Sequence, residues 1–302
     1  IVVPPPGPKA NAVVAQHDRY ASTSYPKEYP LVIAGGNRAM VEDVDGNRFL
    51  DFMAGIAVTS TGYNHPAVVA AVREAAGRFL HICGADFYYE GFATLCERLA
   101  TLAPGPSKKR VFLSNSGTEA VEGAMKLARH STGRAAFVAF TGSFHGRTYG
   151  ALSLTASKAV QRSGFGPFLP EVYHVPYPYQ YRCDFCRGAA ACNQGCIAHI
   201  TDDLFVRRLD PKNVAAIVVE PVQGEGGYVV PPPGFLRQLR DLCDRHGILL
   251  ICDEVQSGFG RSGKLFAIEH YDVKPDMITM AKGIADGFPL SAFIARPEVA
   301  DS

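Results

Sequence analysis

Five short apolar runs, each closed by a cluster of polar or glycine residues, constrain this chain more than any other feature. They lie at 110–113, 136–140, 214–220, 248–252 and 277–280. Runs of this length fit buried strands, and helical patterns occupy the stretches between several of them. The clearest is 234–246, where Phe235, Leu236, Leu239, Leu242 and Cys243 fall on one side and Gly247 offers a left-handed stop. Strand alternating with helix predicts an α/β fold, a mostly parallel central sheet with helices on both faces. In such sheets ligands collect at the C-terminal strand ends, where loops and helix N-termini converge. Each chemically suggestive stretch of the chain sits at such an end.

The remaining elements are simpler. Residues 1–30 are rich in proline and polar side chains and read as an arm rather than a core element. Two runs, 39–42 and 48–52, flank the turn Asp45-Gly46-Asn47 and predict a hairpin. His65-Pro66 opens a helix carrying Val68, Val69 and Val72, and a further helix fits 92–102, ahead of Pro104-Gly105-Pro106. The chain has 302 residues, 47% hydrophobic and 20% charged, as an ordinary globular protein has. A net charge of +1 gives no reason to expect nucleic acid or an anionic membrane as partner. No apolar run approaches the ~20 residues of a membrane span. Ile1-Val2-Val3 runs at once into Pro4-Pro5-Pro6 with no secretory pattern, and without a starting methionine the chain reads as having lost its first residues. Cys83, Cys96, Cys243 and Cys252 lie scattered among apolar neighbours, and a reducing, cytoplasmic compartment is the default expectation for a protein of this size.

The motifs follow in chain order. Ser116-Gly117-Thr118 stands between an apolar run and a helix at 119–129; small residues there let backbone N–H groups approach an anion, or simply cap the helix. In Phe144-His145-Gly146-Arg147, Phe144 can lie flat against a planar heteroaromatic ring, and Arg147 can pair with a carboxylate, or the segment is a glycine-rich loop with a surface arginine. Glu220-Pro221-Val222-Gln223-Gly224-Glu225-Gly226-Gly227 packs two carboxylates, an amide and three glycines into a loop suited to folding against a ligand, or into a strand-ending turn with solvated acids. Asp253 ends a run too apolar to be exposed, so it needs a partner: a protonated pyridine nitrogen, a helix N-terminus or a salt bridge. Gln256, three residues on, could hydrogen-bond the phenolic oxygen of the same ring. Lys282 also follows a strand end, where desolvation would lower its pKa and free the amine.

Taken together, SNSGTEA, FHGRT, EPVQGEGG, DEVQSGFGR and the lysine of AKG resemble the class III aminotransferases, the ω-amino-acid branch of the fold type I pyridoxal-phosphate enzymes, and 4-aminobutyrate aminotransferases above all. The resemblance runs from about Tyr29 to the end of the chain. It implies pyridoxal 5'-phosphate as cofactor, bound as an imine to Lys282, which also moves the proton. Asp253 would pair with the pyridine nitrogen, Phe144 would stack on the ring beside His145, and Ser116, Gly117 and Thr118 would hold the phosphate. Glu220, Val255 and Gln256 complete the implied cofactor site. Ile56, Arg147 and Glu225 would bind substrate, Arg147 through a carboxylate of glutamate or 2-oxoglutarate, and Glu225 by pairing with a second arginine near the family's C-terminus.

The same resemblance implies a layout. Residues 1–60 would form an arm and the first part of a small α+β domain, and residues 61–302 the large cofactor-binding domain. The rest of the small domain would lie beyond Ser302. It also implies a homodimer with shared active sites, and small-molecule partners: an amino donor and a 2-oxo acid. N-acetylornithine or ornithine transamination, and racemisation of an amino acid, are the alternative activities on this fold. One segment has no counterpart in the resemblance. Cys183, Cys186, Cys192 and Cys196 fall within fourteen residues, with His199 beyond. Their spacing is not a standard metal motif, so metal binding, disulfides and plain thiols all stay open, with no metal as the working expectation.

Overall fold

A computed structural model of the chain describes all residues except 106–107, 184, 187–191 and 193. By its internal contacts the chain separates into two compact units, Ile1–Phe87 and Tyr88–Ser302.

The first unit holds a three-stranded antiparallel sheet of β1 (Ile33–Asn37), β2 (Met40–Asp43) and β3 (Arg48–Leu50). The expected hairpin is β2–β3, turning at Asp45-Gly46. The arm is more ordered than its composition predicts, because Pro8–Tyr20 is a helix. Proline is tolerated in a first helical turn, where its missing N–H has no acceptor to lose. The cap comes from far along the chain: the Asp45 carboxylate accepts from the N–H groups of Lys9 and Ala10, at 3.0 and 2.9 Å. No local pattern carries that information. The helix expected after His65 is Pro66–Arg78.

The second unit is built on a seven-stranded sheet. Its strands are β4 (Arg110–Ser114), β5 (Ala136–Phe140), β6 (Val172–Val175), β7 (Val214–Val219), β8 (Leu249–Asp253), β9 (Met277–Met280) and β10 (Ser291–Ala295), in the spatial order β4-β10-β9-β8-β7-β5-β6. All five predicted runs are strands. Two further strands, β6 and β10, join them. β10 runs antiparallel to both β4 and β9, and the other ladders are parallel.

Side chains alternate across this sheet. Val138 and Phe140 of β5 join one core with Leu250 and Cys252 of β8, while Phe137 and Ala139 join a second core with Ile251. The helix Phe235–His246 covers the first face with Phe235, Leu236, Leu239, Leu242 and Cys243, and stops at Gly247 with φ 61°. The helix Gly117–Thr132 covers the second with Val121, Ala124, Met125 and Ala128. With most of both faces covered, the strand ends are where a ligand finds room.

Candidate active site

The centre of the site is Asp253, the last residue of β8, only 3% exposed. Three donors hold its carboxylate: His145 Nδ1 at 2.7 Å, the Val255 N–H at 3.0 Å and the Thr279 hydroxyl at 3.0 Å. A carboxylate offers about four acceptor positions, so one remains for a further donor. His145 is fully enclosed, its backbone N–H bonded to Thr155 Oγ1 and its Nε2 buried with no hydrogen-bond partner among the described residues. Burial works against a charge on His145, but the bond to Asp253, the charge of Asp253 and that of Glu220 outweigh it and raise the pKa.

Glu220 follows β7 and stands beside this pair. One oxygen accepts from the N–H of Phe144 and the other from the N–H of Gly224, each at 3.1 Å. One carboxylate thereby ties together the loops after β5 and β7. Burial, with the charge of Asp253, pushes its pKa up to about 7, against the pull of His145 and the two N–H groups. Phe144 is half-buried, and the exposed Arg147 lies with its guanidinium 5.6 Å from the centre of the Phe144 ring.

Lys282 follows β9, half-buried and with φ 50° in the left-handed region. Burial lowers its pKa below the ordinary lysine value; Asp253, Glu220 and Glu225 pull it back in part, and Arg261 pushes it down further. Three of the charges that act on the amine are thus acids of the motifs described above.

The turn after β4 reaches the same place. Ser116 is extended and the helix begins at Gly117, two residues before the predicted start. The Ser116 hydroxyl donates to Glu119 at 2.7 Å, and the Thr118 hydroxyl meets that of Thr148 at 2.6 Å. The side chains are therefore occupied, while the N–H groups of Gly117, Thr118 and Glu119 have no acceptor within the helix. Gly117 sits close against two other strand ends: a Cβ there would lie 2.9 Å from Val255 Cγ1 and 3.5 Å from the Ala281 Cβ. Gly146, with φ 137°, packs on Thr118 in the same way. The glycines let the four loops approach closely.

Glu225 accepts from Lys158 Nζ at 2.8 Å and Gln161 Nε2 at 3.4 Å. Gln256 approaches Gly224. Ile56 belongs to the first unit, half exposed with φ 62°. Among the four clustered cysteines, Cys186 and Cys192 come within 3.7 Å, and no group of three or more described His, Cys, Asp or Glu side chains is arranged to hold a metal ion.

Three residues of the site carry no motif. Thr279 is a polar residue inside the apolar run of β9, and its complete burial is the one hint that it has a partner. Thr155 and Lys158 follow the short helix Tyr149–Leu154 without any pattern.

The arrangement supplies a buried anion with one open acceptor position, three N–H groups at a helix start that are unmatched among the described residues, and a partly desolvated amine. Pyridoxal phosphate presents the complementary set: a protonated ring nitrogen, a phosphate and an aldehyde. The residues fit it.

The family model for class-III aminotransferases matches residues 21–302. The chain belongs to that family. It is 43% identical over 297 residues to a 4-aminobutyrate aminotransferase of Mycobacterium tuberculosis, covering 97% of this chain and 66% of that one. It is 47% identical over 285 residues to an acetylornithine aminotransferase of Methanopyrus kandleri, covering 94% and 66%. An alanine/serine racemase of Pyrococcus horikoshii is 40% identical over 306 residues, 100% of this chain and 64% of that one. The fold is shared with the solved taurine:2-oxoglutarate aminotransferase of Bifidobacterium kashiwanohense, in complex with PLP and glutamate: TM-score 0.87 at 31% identity, covering 97% of this chain and 66% of that one. The chain thus spans just under two thirds of the length of these relatives.

Proposed function

We propose that this chain forms the cofactor-binding part of a pyridoxal-phosphate-dependent aminotransferase that moves an amino group from 4-aminobutyrate, or a similar ω-amino acid, to 2-oxoglutarate by a ping-pong mechanism. The observation that carries the reading is the buried His145–Asp253 bond beside Glu220, at the end of the strand next to the one that Lys282 follows. When bound, the cofactor supplies an electron-withdrawing ring that loosens a hydrogen on the amine-bearing carbon of the substrate.

Everything else falls to the chain's own residues. Asp253 would hold a proton on the ring nitrogen, and His145, the Val255 N–H and Thr279 fix the direction of its carboxylate. Gly117 and Thr118 offer their N–H groups to the phosphate, helped by the helix dipole. Lys282 is the base: a lowered pKa enlarges its neutral fraction, and the neutral amine takes the proton and returns it. Phe144 offers its ring to the cofactor, and Arg147 its guanidinium to a substrate carboxylate. Glu225, held by Lys158, adds negative charge near the amine. The same reading takes the assembly as a cytoplasmic homodimer, with Ile56 lining the substrate pocket and residues 1–60 opening a small domain.

Two other readings have support in the relatives: acetylornithine transamination and amino-acid racemisation. One experiment separates all three. The full-length protein loaded with cofactor receives 4-aminobutyrate, N-acetylornithine, ornithine or alanine, each without a keto acid. If 4-aminobutyrate bleaches the visible absorbance and 2-oxoglutarate restores it, the proposal stands. Bleaching by N-acetylornithine or ornithine alone transfers the assignment to that branch. Loss of optical rotation from alanine without bleaching makes the protein a racemase.

A further inference from the structure

The four clustered cysteines take no part in the chemistry above. We propose that Cys186 and Cys192 form a thiol–disulfide exchange site, which a small-molecule disulfide converts into an intramolecular bond.

The two sulfurs are 3.7 Å apart, the Cys186 thiol donating to Cys192 Sγ. That is van der Waals contact, so a small rotation of the side chains brings them to bonding distance. The surroundings assign their roles. Cys192 is half-exposed, so a small disulfide can reach its sulfur, which also accepts the N–H of Gln194 at 3.4 Å. Cys186 is only 6% exposed, beneath it. Cys196 is deeper still at 1% exposure; burial, with the nearby Cys192 and Cys183, pushes its thiol up to about 12, which leaves it a poor nucleophile. Two sulfurs in contact, with no group of three or more arranged around an ion among the described residues, fit two-partner chemistry rather than a metal centre.

The exchange balances. The Cys192 thiolate attacks one sulfur of the small disulfide, a mixed disulfide forms and one small thiolate leaves. Cys186 then loses its proton and attacks Cys192 Sγ, the intramolecular bond forms and the second small thiolate leaves. Two protein thiols are oxidised, and one disulfide is reduced to two thiols.

The site adjoins the loop of Glu220 and Glu225. Arg182, Cys183 and Phe185 share the wall of a cavity of about 230 Å³ with Gln223, Gly226 and Val229. The bond would therefore form next to a segment that shares a cavity wall with this loop, yet it uses no residue of the active site.

The test uses oxidised glutathione on the full chain, followed by alkylation in denaturant and mass spectrometry. Trypsin cuts after Arg182, Arg187 and Arg207, so Cys186 and Cys192 fall on different peptides. The expected result is a loss of two thiols, the two peptides linked through Cys186 and Cys192, and full reversal by dithiothreitol. In Cys186→Ser the reaction should stop with glutathione held on Cys192. Full alkylation of all eight cysteines after exposure, linkage through Cys183 or Cys196, or a protein isolated with a metal ion that blocks oxidation until chelated, would each overturn the proposal.

Discussion

Replacing Thr279 with valine removes one hydroxyl and leaves the shape of β9 intact. The hydroxyl donates to Asp253 Oδ1 at 3.0 Å, and both residues are buried, at 0% and 3% exposure. A hydrogen bond to a charged group contributes about 1.5–3 kcal/mol. The methyl gained by valine offsets about 0.8 kcal/mol of that, so the net loss is about 1–2 kcal/mol. For a unit the size of 88–302, this lowers Tm by about 2–8 °C. The assay is thermal unfolding of the cofactor-free protein, repeated in an Asp253→Asn background. There the hydroxyl meets a neutral amide, and the same substitution should cost about 1 kcal/mol less. Pyridoxal-phosphate affinity should also fall, by no more than about tenfold. An unchanged Tm, or an equal cost in both backgrounds, would refute the claim that Thr279 steadies the Asp253 carboxylate.

Three more expectations rest on the same geometry. Lys282→Ala should abolish the visible absorbance of the loaded protein and all turnover, while Tm holds or rises because a partly desolvated amine has gone; retained absorbance would sink its assignment. Gly117→Ala should destabilise by about 1–3 kcal/mol through the Cβ forced against Val255, and Val255→Ala in the same chain should recover most of it; without that recovery the close approach is not the cause. Glu220 and Glu254 are both pushed up to about 7 by burial, above their ordinary 4.5, and His145 is raised as well. The folded state therefore binds protons that the unfolded state releases: the two glutamates stabilise fully below about pH 4.5 and lose that contribution as pH rises through about 7, and His145 stabilises below its ordinary 6.5 and loses its share above it. Tm of the cofactor-free protein should fall between pH 5 and 8, less steeply in Glu220→Gln, and a rise over that range would contradict the assignment.

Much of this was legible in the sequence because it is local. The five apolar runs became strands, and the helix over Phe235–His246 shows its period and its stop within thirteen residues. Asp253 and Lys282 could be picked out because each ends such a run. What stayed hidden depends on distant partners. The helix Pro8–Tyr20 is capped by Asp45, 35 residues or more away. β10 has an ordinary composition and becomes a strand only because β4 and β9 flank it. Thr279 gave no motif, since its role rests on a single bond across to β8. Lys158 as the partner of Glu225 belongs to the same class, at a separation of 67 residues.

The antiparallel strand has a consequence for synthesis. β4 is the first strand of its sheet to leave the ribosome, and its only ladder partner among the described strands is β10, the last. Ser114 meets Ser291 across 177 positions, and the Ser291 hydroxyl also donates to the carbonyl of Ser116, beside the phosphate turn. At about 5–20 residues per second, the first strand waits about 10–35 s for its neighbour. During that wait the helix Gly117–Thr132 can form, but its N-terminus is not yet anchored by Ser291. Capacity to bind the cofactor should therefore switch on late in translation, once residue 295 has emerged, rather than grow strand by strand.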